Sequence, residues 1–207
     1  MTDPQGTRAA AYRGRVLRAG EGPASTWNVA NVITIVRIVL VPVFVVLLAA
    51  DGGRGGALRW IAALLFVVAI STDSLDGHLA RSRDLVTDLG KLLDPIADKA
   101  LTGAALVMLS VLGELPVWVT ALILVREIGI TVYRFAVLRK RVIPASKGGK
   151  LKTVLQSVAI TAALLPLPHL LGSWMVVVDT VLMGAALVLT VVTGLQYLID
   201  DRRLNRA

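Results

Sequence analysis

DSLDGHLARSRDLVTDLGKLLDPIAD, running from Asp73 to Asp98, decides the reading of this chain. It is a charged stretch inside a sequence that is otherwise strongly apolar. Four of its six aspartates fall in two sets, with Asp73 and Asp76 three apart and Asp94 and Asp98 four apart. On a helix, either spacing puts both members of a set on one face. Gly77 and Ala80 extend the first face and Gly90 the second. Two helices joined near Ser82–Thr87 would then turn four carboxylates and several small residues toward a shared cleft. Like charges in a low-dielectric cleft repel unless a cation sits among them. An acid-only cluster in a chain without Cys is a hard-oxygen site, suited to Mg²⁺ or Mn²⁺ rather than zinc or copper. Mg²⁺ held this way completes its shell with substrate phosphates. The residues therefore predict a metal-bound phosphate or pyrophosphate site at a membrane face.

Outward from this stretch, composition sets the solvent. The chain has 207 residues, 56% of them hydrophobic, with a mean hydropathy of +0.74. Aromatic residues are few, so the apolar mass is aliphatic, as in helices packed in lipid. Six apolar spans of about bilayer length run near Ala30–Ala50, Ala57–Ala80, Asp88–Leu112, Pro116–Leu138, Lys150–Leu165 and Trp174–Ile199. Their linkers are short: Asp51–Gly56 is Gly-rich, Gly113–Pro116 is tight, and Pro166–Ser173 carries two prolines. Residues 1–26 are expected to be a cytoplasmic tail with a surface helix near Ala9–Leu17. Residues 27–200 are expected to be the catalytic domain, and 201–207 a cytoplasmic tail. No cleaved signal peptide is expected.

Charge fixes the expected orientation. The N-tail, Arg81–Lys91, Arg139–Lys152 and the C-tail hold sixteen Lys and Arg; the other three connections hold Arg54 and Arg59. Both termini are therefore predicted to be cytoplasmic. The net charge of +8 lies between apolar spans, which points to anionic lipid or substrate and not to nucleic acid. The expected fold is an all-α integral membrane protein of six transmembrane helices, with a polar cavity open to the cytoplasmic side. In span 1, Asn31, Thr34 and Arg37 form a polar strip predicted to face that interior. Pro95 is expected to kink span 3. In span 4, Arg126, Ile130 and Arg134 share a face, while Arg126 and Glu127 are adjacent and do not. Two arginines on one face predict a bound anion. The basic run Arg139–Thr153 reads as a topology signal and as a phosphate cradle, with Lys147, Lys150 and Lys152 beside Gly148 and Gly149. The last two spans are read as carrying little chemistry, with Asp179 near the outer interface. Neither His78 nor His169 is given a role.

The pattern Asp73-x2-Asp76-Gly77-x2-Ala80-Arg81-x8-Gly90-x3-Asp94-x3-Asp98 resembles the signature of the CDP-alcohol phosphatidyltransferases. Eight residue types at fixed spacing make this a specific signal. Asn31-x2-Thr34-x2-Arg37 and the run from Arg126 to Thr153 resemble segments of one branch, the phosphatidylglycerophosphate synthases, including actinobacterial ones. That branch usually has Pro before the Asn, where this chain has Ala30. The resemblance implies transfer of the phosphatidyl group from CDP-diacylglycerol to sn-glycerol 3-phosphate, with release of CMP. It implies two Mg²⁺ or Mn²⁺ ions on Asp73, Asp76, Asp94 and Asp98, with Asp98 as general base. It implies a CDP site of Asp76, Gly77, Ala80, Arg81 and Gly90, to which Asn31 and Thr34 are assigned. Arg37, Arg126, Arg134, Lys147, Lys150 and Lys152 are assigned to the acceptor phosphate. A homodimer in the bacterial inner membrane is likewise implied. Inositol 1-phosphate, phosphatidylglycerol or another alcohol remains an alternative acceptor, and a divalent-cation transporter the non-enzyme alternative.

Overall fold

A computed structural model describes the backbone of residues 29–82, 88–138 and 147–204; side chains are described over 32–72, 96–97, 99–133, 149–197 and 199. These residues form seven helices and no strand. Six are long: α1 (Val29–Asp51), α2 (Ala57–Ser82), α3 (Asp88–Val111), α4 (Val117–Leu138), α5 (Lys147–Leu164) and α7 (Trp174–Leu204). The seventh, α6 (Leu167–Leu171), is a short helix inside the linker that carries two prolines. Pro166 precedes it and Pro168 occupies its first turn, where a missing N–H costs nothing.

The six expected spans coincide with the six long helices to within a few residues. Two ends differ. α5 begins at Lys147 and α7 runs on to Leu204, past the apolar boundary at Ile199. A polar residue ends the apolar run but not the backbone hydrogen bonding, so both helices continue past the hydropathy boundary. α3 remains helical through Pro95, as α1 does through Pro42.

Helix contacts close a ring. α1 packs on α2, α2 on α5, α5 on α7, α7 on α4, α4 on α3, and α3 back on α1; α3 also meets α5 across the middle. The core gathers at one end of this bundle. Phe44 and Leu48 of α1 meet Ala62, Ala63 and Phe66 of α2, Leu106 and Leu109 of α3, Ile123 of α4 and Ile160 and Leu164 of α5. Phe44 and Phe66 stack at a tilt with ring centroids 5.9 Å apart. Small residues such as Ala62, Ala63, Ala105 and Ala159 let the helices approach closely there.

The same end is tied by polar contacts. Asp51 accepts from the backbone N–H of Gly55 (3.1 Å) and Gly56 (2.9 Å), folding the turn between α1 and α2. Gly55 has φ +69°, and a Cβ there would lie 3.1 Å from His169 Nδ1, so this turn requires glycine. Arg59 is buried and donates to the carbonyls of Leu164 (2.8 Å) and Ala163 (3.0 Å) and to Glu114. Arg54 donates to the carbonyls of Asp51 and Ala50. Asp179 is half-buried, beside Glu114. The opposite end holds the polar residues of interest, and the apolar core positions them by fixing the helices that carry them.

Candidate active site

Both aspartate pairs lie on helical backbone. Asp73 and Asp76 are in the last turns of α2, and Asp94 and Asp98 are in the first half of α3. α2 and α3 pack together, and α1 packs on both. The side chains of Asn31, Asp73, Asp76, Ala80, Arg81, Asp94, Asp98, Arg134 and Lys147 lie outside the described residues, as do the surroundings of Gly77 and Gly90. The cavity expected around the aspartates falls on the same positions. Four carboxylates at one-turn spacing on two packed helices are a hard-oxygen donor set, and that chemistry fits Mg²⁺ or Mn²⁺. Among the described residues, which do not include the side chains of these four aspartates, no group of three or more His, Cys, Asp or Glu is placed to hold a metal ion.

Two members of the α1 polar strip, Thr34 and Arg37, face inward. Thr34 and Arg37 are each only 4% exposed, whereas Val32, Val36 and Val39 on the same helix are exposed. The low exposure puts Arg37 inside the bundle, on a helix that packs against α2 and α3.

On the α4 side the structure builds a cluster that the sequence reading had only in pieces. Glu127 is buried, and both its carboxylate oxygens are engaged. Oε2 accepts from Lys99 Nζ of α3 at 2.8 Å. Oε1 accepts from Arg126 Nη1 at 2.9 Å and from Lys152 Nζ of α5. Arg126 also donates through Nη2 to Thr193 Oγ1 of α7 at 3.0 Å. Four helices thus meet at one carboxylate and its neighbours. Adjacent positions on a helix point apart, as the spacing says, yet Arg126 curls back to reach Glu127. It can do so because it lies over Gly194 of α7, where a Cβ would stand 3.1 Å from Nε and 3.2 Å from Cγ. Of the basic residues assigned to an acceptor, the structure brings Arg126 and Lys152 together. Lys150, two positions earlier on α5, is exposed.

Beside the cluster lies a cleft of about 360 Å³ between α3, α4 and α5. Its walls include Ile96, Leu124, Ile128 and Val132, and Lys99, Glu127, Thr131 and Gln156 supply its polar groups. Gln156 is buried, and its Oε1 accepts no hydrogen bond from the described residues. Tyr133 of α4 and Tyr197 of α7 meet edge to face, with centroids 6.2 Å apart.

Residues 27–192 match the family model for CDP-alcohol phosphatidyltransferase. That match spans α1 through most of α7. The chain belongs to the CDP-alcohol phosphatidyltransferase family. Among its relatives, a probable phosphatidylglycerophosphate synthase of Mycobacterium tuberculosis is 51% identical over 176 residues, covering 85% of this chain and 82% of that one. A CDP-diacylglycerol–glycerol-3-phosphate 3-phosphatidyltransferase of Bacillus subtilis is 38% identical over 182 residues, covering 83% of this chain and 93% of the relative. An enzyme of the same name from Shigella flexneri is 38% identical over 181 residues, with the same coverage.

Within this CDP-alcohol phosphatidyltransferase, three residues beside the basic cluster escaped the sequence reading. Glu127 carried a signal, since a carboxylate inside an apolar span needs partners, but nothing in the sequence named them. Thr193 and Gly194 carried none. The last helix, read as chemically plain, supplies the hydrogen bond and the clearance that hold Arg126.

Proposed function

We propose that the chain transfers the phosphatidyl group of CDP-diacylglycerol to sn-glycerol 3-phosphate, giving phosphatidylglycerophosphate and CMP. One observation carries this reading. A cluster of Lys99, Arg126 and Lys152 gathers around Glu127, and Lys99 directly follows Asp98 on the helix that bears half of the aspartate signature. An acidic set suited to metal and pyrophosphate is thereby joined to a basic set suited to a second phosphate. Removing a phosphate dianion from water demands several charge-assisted donors, and a neutral alcohol would need none. The names of the relatives agree with this choice. The cluster also disfavours a cation transporter, whose path would not gather three cations.

The bound metal would neutralise the pyrophosphate and polarise the phosphorus under attack. Asp73, Asp76, Asp94 and Asp98 would hold two such ions. Asp98 takes the proton from the acceptor hydroxyl as its oxygen bonds to the β-phosphorus. The bond from that phosphorus to the bridging oxygen breaks, and CMP leaves. Asn31, Thr34, Asp76, Gly77, Ala80, Arg81 and Gly90 hold the CDP moiety. Arg37, Arg126, Arg134, Lys147, Lys150 and Lys152 surround the acceptor phosphate, with Lys150 reaching it from the cytoplasmic rim.

The setting is the cell membrane, crossed six times, with both termini cytoplasmic and a polar cavity open on that side. Two helices, Val32–Asp51 and Trp174–Tyr197, are long and apolar enough to cross on composition alone. The others carry charge in one half, yet their outward faces are apolar too: Leu64 and Val68 on α2, Val125 and Val132 on α4, Val154 and Val158 on α5 are exposed. Water would not favour so large a patch; lipid would. Trp60, Trp118 and Trp174 are exposed in the first turns of α2, α4 and α7, as an aromatic belt at the outer interface would be. Arg54 and Arg59, the basic residues of that side, are held by carbonyls and Glu114. The enzyme works as a homodimer, with residues 27–200 as its catalytic domain between cytoplasmic tails.

An acceptor panel tests the reading. Purified protein with labelled CDP-diacylglycerol should release CMP and form phosphatidylglycerophosphate with glycerol 3-phosphate. It should be far slower with inositol 1-phosphate, phosphatidylglycerol or free glycerol. Equal use of free glycerol would overturn it.

A further inference from the structure

We propose that Glu127 is a positioning residue for the acceptor phosphate: it holds Lys99, Arg126 and Lys152 in place before the acceptor arrives. This rests on the acceptor reading above. Glu127 does not touch the phosphate itself, because like charges repel and both its oxygens are occupied. Arg126 and Lys152 both pair with the single oxygen Oε1, so one carboxylate oxygen gathers two cations while Oε2 holds Lys99. Its three donors come from α3, α4 and α5, and Arg126 extends the linkage to Thr193 of α7. Such an arrangement is poor as a simple structural pair, where one cation would suffice. It suits a site that keeps positive charge assembled for a dianion.

Loss of the Glu127 charge has a definite sign. A bare Glu127→Gln change raises the cluster's charge, and bulk electrostatics alone would then favour anion binding. Burial opposes this. Lys152 is only 5% exposed, and a buried ammonium stripped of its carboxylate moves away toward water. Lys99 and Arg126 likewise regain rotamer freedom, which acceptor binding must then remove again. Loss of preorganisation wins, and acceptor binding weakens.

The experiment uses the purified full chain with CDP-diacylglycerol and glycerol 3-phosphate. Wild-type formation of phosphatidylglycerophosphate tests the functional reading by itself, before any variant is made. Glu127→Gln should then raise KM for glycerol 3-phosphate about tenfold, with KM for CDP-diacylglycerol and kcat little changed. Glu127→Asp retains the charge but draws it back by one methylene, and should show a smaller rise in the same KM. Combining Glu127→Gln with Lys152→Met should cost less than the two single effects multiplied, because one residue acts through the other. Three results overturn the proposal: an equal rise in both KM values, strictly multiplicative effects in the double variant, or thermal destabilisation by Glu127→Asp with an unchanged acceptor KM. The last covers the case in which Glu127→Gln does not fold.

Discussion

Replacing Arg59 with Met should destabilise the protein without touching its substrates. The guanidinium caps the end of α5 from another helix. It donates to the carbonyls of Ala163 and Leu164, which are among the last four of α5 and have no acceptor role within the helix. It also pairs with Glu114. Met keeps the apolar stem and removes the donors. Two charge-assisted hydrogen bonds are worth about 1.5–3 kcal/mol each. The Glu114 contribution is discounted, because that carboxylate is 32% exposed and can turn to water. A loss of about 3–6 kcal/mol follows from the two carbonyl bonds. At about 2–4 °C per kcal/mol for a chain of this size, the unfolding temperature in detergent should fall by about 10 °C. Tryptophan fluorescence on heating reads it. Leu164 lies twelve residues along α5 from Lys152, about 18 Å at the helical rise. At a permissive temperature, KM for both substrates should therefore match wild type. A shift under about 2 °C would refute the capping role. A raised acceptor KM would refute the separation of a structural end from a chemical one.

Three further outcomes follow from the site. Excess EDTA should abolish turnover, and Mg²⁺ or Mn²⁺ should restore it; full activity in the chelator is incompatible with the carboxylate set as a metal site. Asp98→Asn should lower kcat by about 100-fold or more while CDP-diacylglycerol still binds, and near wild-type turnover would remove Asp98 from the base role. Gly194→Ala should press on Arg126, since the new Cβ would start 3.1 Å from Nε. The hydrogen bond to Thr193 is then strained, and acceptor KM should rise by about threefold to tenfold; an unchanged value would place Arg126 outside the acceptor site.

Much of the fold was legible because the solvent leaves a simple mark. Apolar runs of bilayer length, broken by Gly and Pro, located all six long helices. The inward face of α1 was legible too, because Thr34 and Arg37 stand out in a helix that is otherwise Val, Ile and Leu. Where both faces are apolar, the signal fails. Val188 is exposed and Ala186 buried on α7, yet nothing in their chemistry separates lipid from core. The ring order of the helices was therefore unreadable, and with it the contact of α7 on α4. The short helix α6 was hidden for another reason. Five residues between prolines carry no periodicity, and its Pro-rich opening reads equally well as a turn.

The site divides along the same line. Signature residues that repeat at helical spacing were visible because each pair lies on one element. The Glu127 cluster was not, because its members come from four helices and its key pair are neighbours in sequence. Spacing describes where Cβ atoms point, and by that measure Arg126 and Glu127 diverge. A long guanidinium stem is not bound by that direction when the facing helix leaves room. Gly194 leaves it, and Thr193 beside it fixes the far end of the guanidinium. The adjacency that looked uninformative thus becomes the tightest joint of the cluster: one residue supplies the carboxylate and the next a cation folded back upon it. A glycine and a threonine on the last helix decide that geometry, so the placement of Arg126 depends on two residues with no charge of their own.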